Sequence, residues 1–367
     1  MPKLNVAVTG YYGTGSSAVT DLLREYKKTS VVPFSDKNYE HTVFYVSGGL
    51  FDLCTLLTHG NSPFTSDMVM NNFIDAMDRL NKYDFVWFGS YRKLFGNRFK
   101  EIVDQLVSEL GESKKGENSN HITKSSYSIV KTVLQLAAHL IYKRNFVQYG
   151  CKYHYDGKNV FFAMPSEKEV FEAARRFTEA YFNMFDTEDV SIRIFDHLIW
   201  PHQIDEYSRC FTDDFKTIVV DRDPRDVYLL NKYVWFKPPV GHGTPHFPIE
   251  PEKFVEEWTK TIVQSYSNKN TLRIHYEDLI YSYESTVMRI EEFLSLNETD
   301  HVHKGEKLDI SKSIENTQVF KVSKDWEKEV EYIAEKLDSY LYAFPYERKP
   351  DVGNMFDDPR TISAKRK

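Results

Sequence analysis

Cysteine is scarce in this chain. There are three in 367 residues, Cys54, Cys151 and Cys210, and they lie far apart. That spacing excludes a disulfide framework and a cysteine metal site, and it fits a reducing compartment. Excess positive charge is also missing: 47 lysines and arginines face 54 acids, a net charge of -7. The chain therefore has no general attraction for nucleic acid or an acidic membrane, and an anionic ligand must be held by local features. No apolar run approaches the roughly 20 residues that a bilayer span needs. The N-terminus enters a strand pattern almost at once, so no signal peptide is visible. No histidine–cysteine or clustered-carboxylate spacing marks a metal site, and there is no internal repeat. A cytoplasmic protein, binding neither nucleic acid nor metal and without a membrane span, is the expectation; nothing sets its oligomeric state.

Apolar residues are plentiful: 41% of the chain is hydrophobic and 15% aromatic. A chain of this length suits one large α/β domain with insertions, or two smaller domains. The most informative stretch is VAVTGYYGTGSSAVTDLL, residues 6–23. An apolar run (Val6, Ala7, Val8) ends at Thr9 and Gly10, and a turn with Gly13 and Gly15 follows. Ser16 and Ser17 then open a segment whose apolar residues, Val19, Leu22, Leu23 and Tyr26, have helical spacing. Strand, glycine turn and helix aim backbone N–H groups and a positive helix end at an anion. Gly10, Gly15, Ser16 and Ser17 fit the nucleotide-triphosphate pattern G-x-x-x-x-G-K-[ST], except that serine replaces the lysine that reaches the terminal phosphates. The bland alternative is an ordinary strand-to-helix turn.

Farther along, residues 99–110 and 128–142 have helical patterns, and the polar stretch 111–126 between them has the composition of an exposed loop. Residues 146–164 resemble a hairpin turning at Asp156–Gly157, and 167–185 a further helix. This middle third lacks βα alternation. Strands are expected at 192–195, 217–220 and 272–275, each followed by a helical pattern, as in a parallel sheet. Residues 237–251 are rich in proline and glycine, the composition of a long loop over a site. An amphipathic helix spans 325–341, and a polar tail follows Arg348.

A second anchor is KTIVVDRDPRDVYLL, residues 216–230. Asp223 caps the coming helix, Pro224 suits its first position, and Asp226 falls where a capping-box acid belongs. Arg222 is left over at the carboxyl end of a buried strand, where open α/β sheets bind ligands. Arginine there holds phosphate bidentately; an ion pair with Asp221 or Asp226 is the structural alternative.

The order of the glycine turn, V-V-D-R-D-P-R-D-V and then I-H-Y-E-D-L resembles the sulfotransferases that use 3′-phosphoadenosine 5′-phosphosulfate (PAPS). The resemblance covers roughly residues 1–60 and 190–345, not the middle. It implies an α/β fold with a central, mainly parallel sheet flanked by helices, P-loop-like, with a helical and hairpin insertion. On this view the chain is a single domain over 1–367, and about 100–190 is an inserted subdomain on the acceptor side. The implied activity is transfer of a sulfonate from PAPS to an acceptor hydroxyl, leaving adenosine 3′,5′-bisphosphate (PAP), without a metal. The long insertion and the G-S-S form of the loop are closer to bacterial glycan sulfotransferases, so a saccharide acceptor is favoured. Carried over by motif, Gly13, Thr14, Gly15, Ser16 and Ser17 cradle the 5′-phosphosulfate, Arg222 binds the 3′-phosphate and Tyr276 lies near the adenine. Ser313 and Asn316 belong to a late loop over the nucleotide, where Lys312 or Lys321 adds charge.

The chain departs from that pattern in its cations. Gly13 stands where a lysine or arginine is usual, and Phe195 where a lysine precedes the catalytic histidine. Leu230 replaces the serine that shares the 3′-phosphate, with Asn231 beside it as a substitute. Lys37, Arg92 and Lys93 are candidate replacements for the missing charge. Two residues match the family's base: His197 in IFDHLIWP and Glu40 in NYEHTVF. Both stand, with Asp196 as an outsider or as a group that orients His197. Glu277 and Asp278 suit helix caps. His242 and His246 lie in the proline-rich loop, and Trp87, Trp200 and Trp235 offer aromatic surface for a sugar. A P-loop kinase-like phosphotransferase and a non-catalytic nucleotide-binding relative are the alternative functions.

Overall fold

In the computed structural model the described residues are 3–33, 39–85, 88–115, 159–186, 189–235, 248–262 and 269–345. Five strands form one sheet: β1 (Leu4–Gly10), β2 (Thr29–Val32), β5 (Ile192–Asp196), β6 (Lys216–Asp221) and β7 (Thr271–His275). Their order is β2-β5-β1-β6-β7, and every neighbouring pair is parallel. The central strands are continuously apolar because helices cover both faces; Val6, Ala7, Val8, Ile218, Val219 and Val220 are all fully buried. Register sets Val8 beside Asp196, Gly10 beside Val220 and Asp221 beside His275. The strands therefore finish close to one line. The chain leaves β1 toward β2 on one side and leaves β6 toward β7 on the other. Direction reverses at β1, and the crevice beyond such a reversal is where open sheets hold ligands.

Helices α1 (Ser16–Leu23) and α8 (Tyr283–Leu294) pack Leu22, Leu23, Ile290 and Leu294 against Val6, Val8, Ile194, Ile218 and Ile274. Each such side chain, fully buried, stabilises the fold by roughly 1.5–3 kcal/mol before entropy is counted. A second core joins α6 (Pro224–Leu230), α7 (Pro251–Thr261) and α9 (Glu327–Lys336) through Val227, Tyr228, Phe254, Trp258, Val330 and Ile333. Short 3₁₀ turns, Lys324–Trp326 and Asp338–Tyr340, flank α9, so the helix expected over 325–341 is shorter than its apolar period.

The described chain divides into two compact units. Residues 1–44, 85–88 and 185–367 contain the sheet, and residues 45–84 and 89–184 form the second unit. The second unit is built from α2 (Leu50–Thr58), α3 (Pro63–Lys82), α4 (Arg98–Leu110), α5 (Glu167–Asn183) and a two-stranded ribbon, β3 (Glu112–Lys115) with β4 (Asn159–Phe162). Ser62 and Ser166 open α3 and α5 with reciprocal side-chain caps. The ribbon corrects the expectation of a loop from 111 onward. Glu112–Lys115 are polar, but they pair with a strand whose Phe161 is buried and donates its amide to Asp67 of α3, while the amide of Ala163, just past the strand, bonds Ser66. The helix expected at 128–142, the Asp156–Gly157 turn, Cys151, most of the 237–251 loop and the tail after Arg348 lie outside the described residues. Cys54 and Cys210 are buried. Among the described residues no helix is long and apolar enough to cross a membrane.

Candidate active site

The turn after β1 is shaped by its glycines. A Cβ on Gly10 would lie 2.2 Å from Thr14 Oγ1 and 2.7 Å from the Val220 carbonyl of the next strand. Gly13 and Gly15 have φ of 84° and 90°, the left-handed region open to glycine. Thr14 ties the turn to itself, donating to Tyr11 O from its amide at 3.0 Å and from its hydroxyl at 2.8 Å. Gly15 is the N-cap of α1 and has no side chain to offer. The first N–H groups of α1 therefore face outward without an intrahelical acceptor, and the Ser16 and Ser17 hydroxyls stand beside them.

Arg222 follows β6 and is 5% exposed. Its Nη1 donates to Gly13 O at 2.9 Å and its Nη2 to Asn316 O, so it braces the glycine turn against the 314–316 segment. The guanidinium lies 4.8 Å from the centre of the Tyr276 ring. Tyr276 donates to Ser313 O at 3.0 Å, and its ring leaves Gly15 no room for a Cβ, which would approach Cδ2 to 2.5 Å. Arg222 Nε has no hydrogen-bond partner among the described residues; nor has Oδ1 of Asn231, buried where α6 passes into a π-helical turn, Asn231–Trp235.

The acids around Arg222 do other work than expected. Asp221 forms a two-pronged ion pair with Arg273 of β7. Asp223 does cap α6, accepting from Arg225 N at 3.0 Å. Asp226 is not a capping-box acid: its carboxyl receives the amides of Gln318 at 2.9 Å and Phe320 at 3.4 Å. Those amides are buried and need acceptors, and Asp226 on the inner face of α6 is the group that meets them. Glu277 likewise accepts Asp223 N at 2.9 Å rather than capping its own helix. Burial pushes the Asp226 carboxyl up to about 7 and that of Glu277 up to about 8, with Arg222 pulling both the other way. Asp278 accepts from His275 N at 3.3 Å and from the Tyr342 hydroxyl at 2.9 Å.

His197 stands just past β5 with φ of 46°, an uncommon conformation for a non-glycine residue. Its amide donates to Val8 O at 3.0 Å. Its Nε2 is 3.0 Å from Ser16 Oγ, and its ring clusters with Tyr12, 6.3 Å away and 22° from parallel, and Trp200 at 5.6 Å, two rings that themselves lie 5.1 Å apart. Burial holds the imidazole below its ordinary value, and the charge of Glu40 opposes that shift. Glu40 also helps raise the Tyr12 phenol to about 12, after the larger effect of burial. Glu40 is anchored by its neighbour His41, fully buried, whose Nε2 lies 3.1 Å from Val32 O. Phe195 and Phe185 clamp the His41 ring edge-on, which is why position 195 is apolar core rather than lysine. Asp196 is buried, 3.9 Å from His197 Nε2, and burial pushes it up to about 7.

The sheet thus lines up His197, the glycine turn, Arg222 and Tyr276 at the carboxyl ends of β5, β1, β6 and β7 in that order. With strands about 4.8 Å apart, His197 and Arg222 end strands roughly 10 Å apart. Lys312 is not part of this group: it is exposed and pairs with Asp309 at 3.2 Å. Lys321 ends a 3₁₀ turn, Val319–Lys321, and Arg92 and Lys93 lie in the second unit. Lys37, His242, His246, Trp87 and the Trp235 side chain are outside the described residues. Tyr12 is marked by no sequence motif; Asp226 and Glu277 stand out in the sequence only as helix-cap acids, and Gly10 only as part of the phosphate-loop pattern. Among the described residues no group of three or more histidines, cysteines and acids is placed to hold a metal.

No family model and no curated protein matches the chain. Solved structures do. The sulfotransferase domain from the curacin biosynthetic pathway aligns over 94% of this chain and 99% of its own, with 12% identity and a TM-score of 0.38. A retinol dehydratase, solved with androsterone and the inactive cofactor PAP, covers 94% of this chain and 84% of its own, at 12% identity and a TM-score of 0.32. Sulfotransferase STF9 from Mycobacterium avium covers 94% and 78%, at 10% identity and a TM-score of 0.39. All three scores are below 0.5, and the fold stands on the strand order and register described above.

Proposed function

We propose that this chain moves a sulfonate group from PAPS to an acceptor hydroxyl, by preference on a saccharide, and releases PAP. The observation that carries the reading is the bracing of Arg222 against the carbonyl of Gly13 at 2.9 Å. It sets a buried cation and the anion-facing end of α1 side by side at the sheet's reversal point. A ligand with two separated anionic groups suits that pair. Two of Arg222's five donors are engaged by carbonyls, so three remain for a 3′-phosphate, and the orphaned Nε is among them. Asn231 adds a buried amide with an unmatched oxygen. Gly13 to Ser17 would take the 5′-phosphosulfate, and Tyr276 the adenine side.

Transfer is an in-line displacement. The acceptor oxygen bonds sulfur, the bond from sulfur to the phosphate oxygen breaks, and the leaving electron pair stays on the phosphate. The α1 amides and the Ser16 and Ser17 hydroxyls stabilise that charge. The acceptor's proton goes to Glu40 or His197. The acceptor-side role of the inserted segment at about 100–190 and a cytoplasmic setting belong to the same reading.

The test is ligand choice. PAP should stabilise the folded protein more than Mg-ATP does, and its gain over the free protein should be ~2.7 kcal/mol at a hundredfold excess over its dissociation constant. Equal stabilisation by Mg-ATP would favour a phosphotransferase. Labelled sulfonate that never leaves PAPS for any saccharide or phenol, with PAP binding intact, would leave a nucleotide-binding protein without transfer.

A further inference from the structure

Ser16 and His197 form a pair whose direction matters. Ser16 is the first residue of α1 and 6% exposed, and its hydroxyl lies 3.0 Å from Nε2 of the ring. Nε2 therefore points at the helix end that receives an anion. The ring is not free to turn elsewhere. Its amide donates to Val8 O at a backbone φ of 46°, and the paired rings of Tyr12 and Trp200 pack against it. A strained conformation at a strand end persists only where its surroundings enforce it.

We propose that His197 belongs to the anion cradle: Ser16 and His197 grip the same anionic group, and Glu40 takes the acceptor's proton. The first half needs only an anion at α1; the second half rests on the sulfonate-transfer reading. The charge around the ring supports the division. Among the described residues the groups facing it are Ser16 on α1, Tyr12 in the glycine turn, Trp200 beyond it in the chain, the Asp196 carboxyl 3.9 Å from Nε2, and Glu40 from the 39–44 segment. None of these is a cation, and positions 13 and 195 hold glycine and phenylalanine. In the free protein, burial favours the neutral imidazole. An anion against Nε2 favours the protonated ring. His197 then supplies the positive charge at the leaving oxygen, donating from Nε2. In the transfer step the acceptor O–H proton goes to the Glu40 carboxylate. The sulfur–oxygen bond to the donor breaks, and its electron pair rests on a phosphate oxygen held by His197 and the α1 amides.

The experiment follows the His197 ring by NMR across pH, with and without PAP and, separately, inorganic pyrophosphate; His197→Gln assigns its signal among the 12 histidines. Saturation with either anion should raise its pKa by one unit or more, and Glu40→Gln should retain that rise. Anion affinity of the unaltered protein should weaken up to about tenfold per pH unit once the ring deprotonates. His197→Gln should remove that pH dependence, and His197→Lys should keep tight binding above pH 6; the lysine variant also serves if the glutamine variant does not fold. If PAP binds and the His197 pKa does not move, the cradle role is wrong and the nucleotide reading stands. If pyrophosphate raises it while PAP does not bind, the cradle stands and the nucleotide reading falls. If neither anion binds, the cradle is overturned.

Discussion

Arg222 is both a brace and a binding group, and one substitution separates the roles. Its guanidinium bonds carbonyls of the glycine turn and of Asn316, while the buried carboxyls of Asp226 and Glu277 feel its charge. Arg222→Ala is expected to weaken PAP binding by ~1.5–3 kcal/mol, the range for a hydrogen bond to a charged group. It also removes the cation from two buried acids, whose ionised forms then become costlier. The variant should therefore lose more stability at pH 8 than at pH 6. Calorimetry with PAP and urea unfolding at both pH values check the two halves. Normal PAP affinity in the folded fraction would make Arg222 a brace alone. Gly13 poses the converse question. At φ 84° a side chain is strained, so Gly13→Lys, which restores the charge expected at that position, should cost about 1–2 kcal/mol in urea unfolding. No loss of stability would mean that the turn adopts another conformation.

Elements with a strong apolar run were legible in the sequence, and those defined by their partners were not. Strands β5, β6 and β7 lie within a residue of their expected positions, and β1 extends the Val6–Val8 run by two residues at each end, because buried parallel strands are apolar throughout. Helices α4 and α5 were legible from their period, and α5 adds a capping box. Strand β2 is only four residues, and β3 is polar; neither has a pattern of its own. Helix α3 opens with a cap but carries polar residues such as Asp67 and Asn71 on its buried side, where they bond each other and the β4 backbone. In the site, the glycine turn and Arg222 were visible as motifs. The Ser16–His197 contact was not, since it joins residues 181 apart that meet only when β5 lies beside β1. The junction of α1 with Tyr276 is likewise tertiary, and it can be tested. Gly15→Ala puts a methyl 2.5 Å from the Tyr276 ring at a φ of 90°. A loss of roughly 1–3 kcal/mol is expected from overpacking, with backbone strain in addition. Combining it with Tyr276→Ala should give less than the sum of the two, by roughly 0.5–3 kcal/mol. Additive losses would show that the ring and the glycine do not meet.

For the whole molecule, buried titratable groups set a stability window in pH. Asp196, Asp226 and Glu277 are pushed up to about 7, about 7 and about 8, mainly by burial. In the unfolded chain they titrate near 3.9–4.3, so between roughly pH 4.5 and 8 the folded state holds protons that the unfolded state has lost. Stability contributed by these protons is fully present below about pH 4 and is lost progressively as pH rises to and through the folded values. Other groups act in the opposite direction. His41 is pushed down to about 3 by burial and His197 is lowered as well, so below about pH 6.5 the unfolded chain gains protons that the folded one refuses. Glu25 is fully buried, receives His301 Nε2 at 2.7 Å and the amides of Lys307 and Leu308 at 2.9 Å, and is lowered. Its stabilisation is present above its ordinary range and is lost as pH falls through the folded value. Three acids against two histidines place the maximum in acidic solution, near pH 4.5 to 5, with a net decline as pH rises from there toward 8 and a loss below it as Glu25 is protonated. The alkaline decline should be on the order of 1.4 kcal/mol or more from pH 6 to 8, one pKa unit's worth. Urea unfolding at pH 5, 6, 7 and 8 measures it directly. Glu277→Gln can still accept the Asp223 amide but has no proton to lose, so it should be more stable relative to the unaltered chain at pH 8 than at pH 6. A profile that is flat from pH 6 to 8, and equally flat in the variant, would mean that these carboxyls ionise in the folded protein as they do in water.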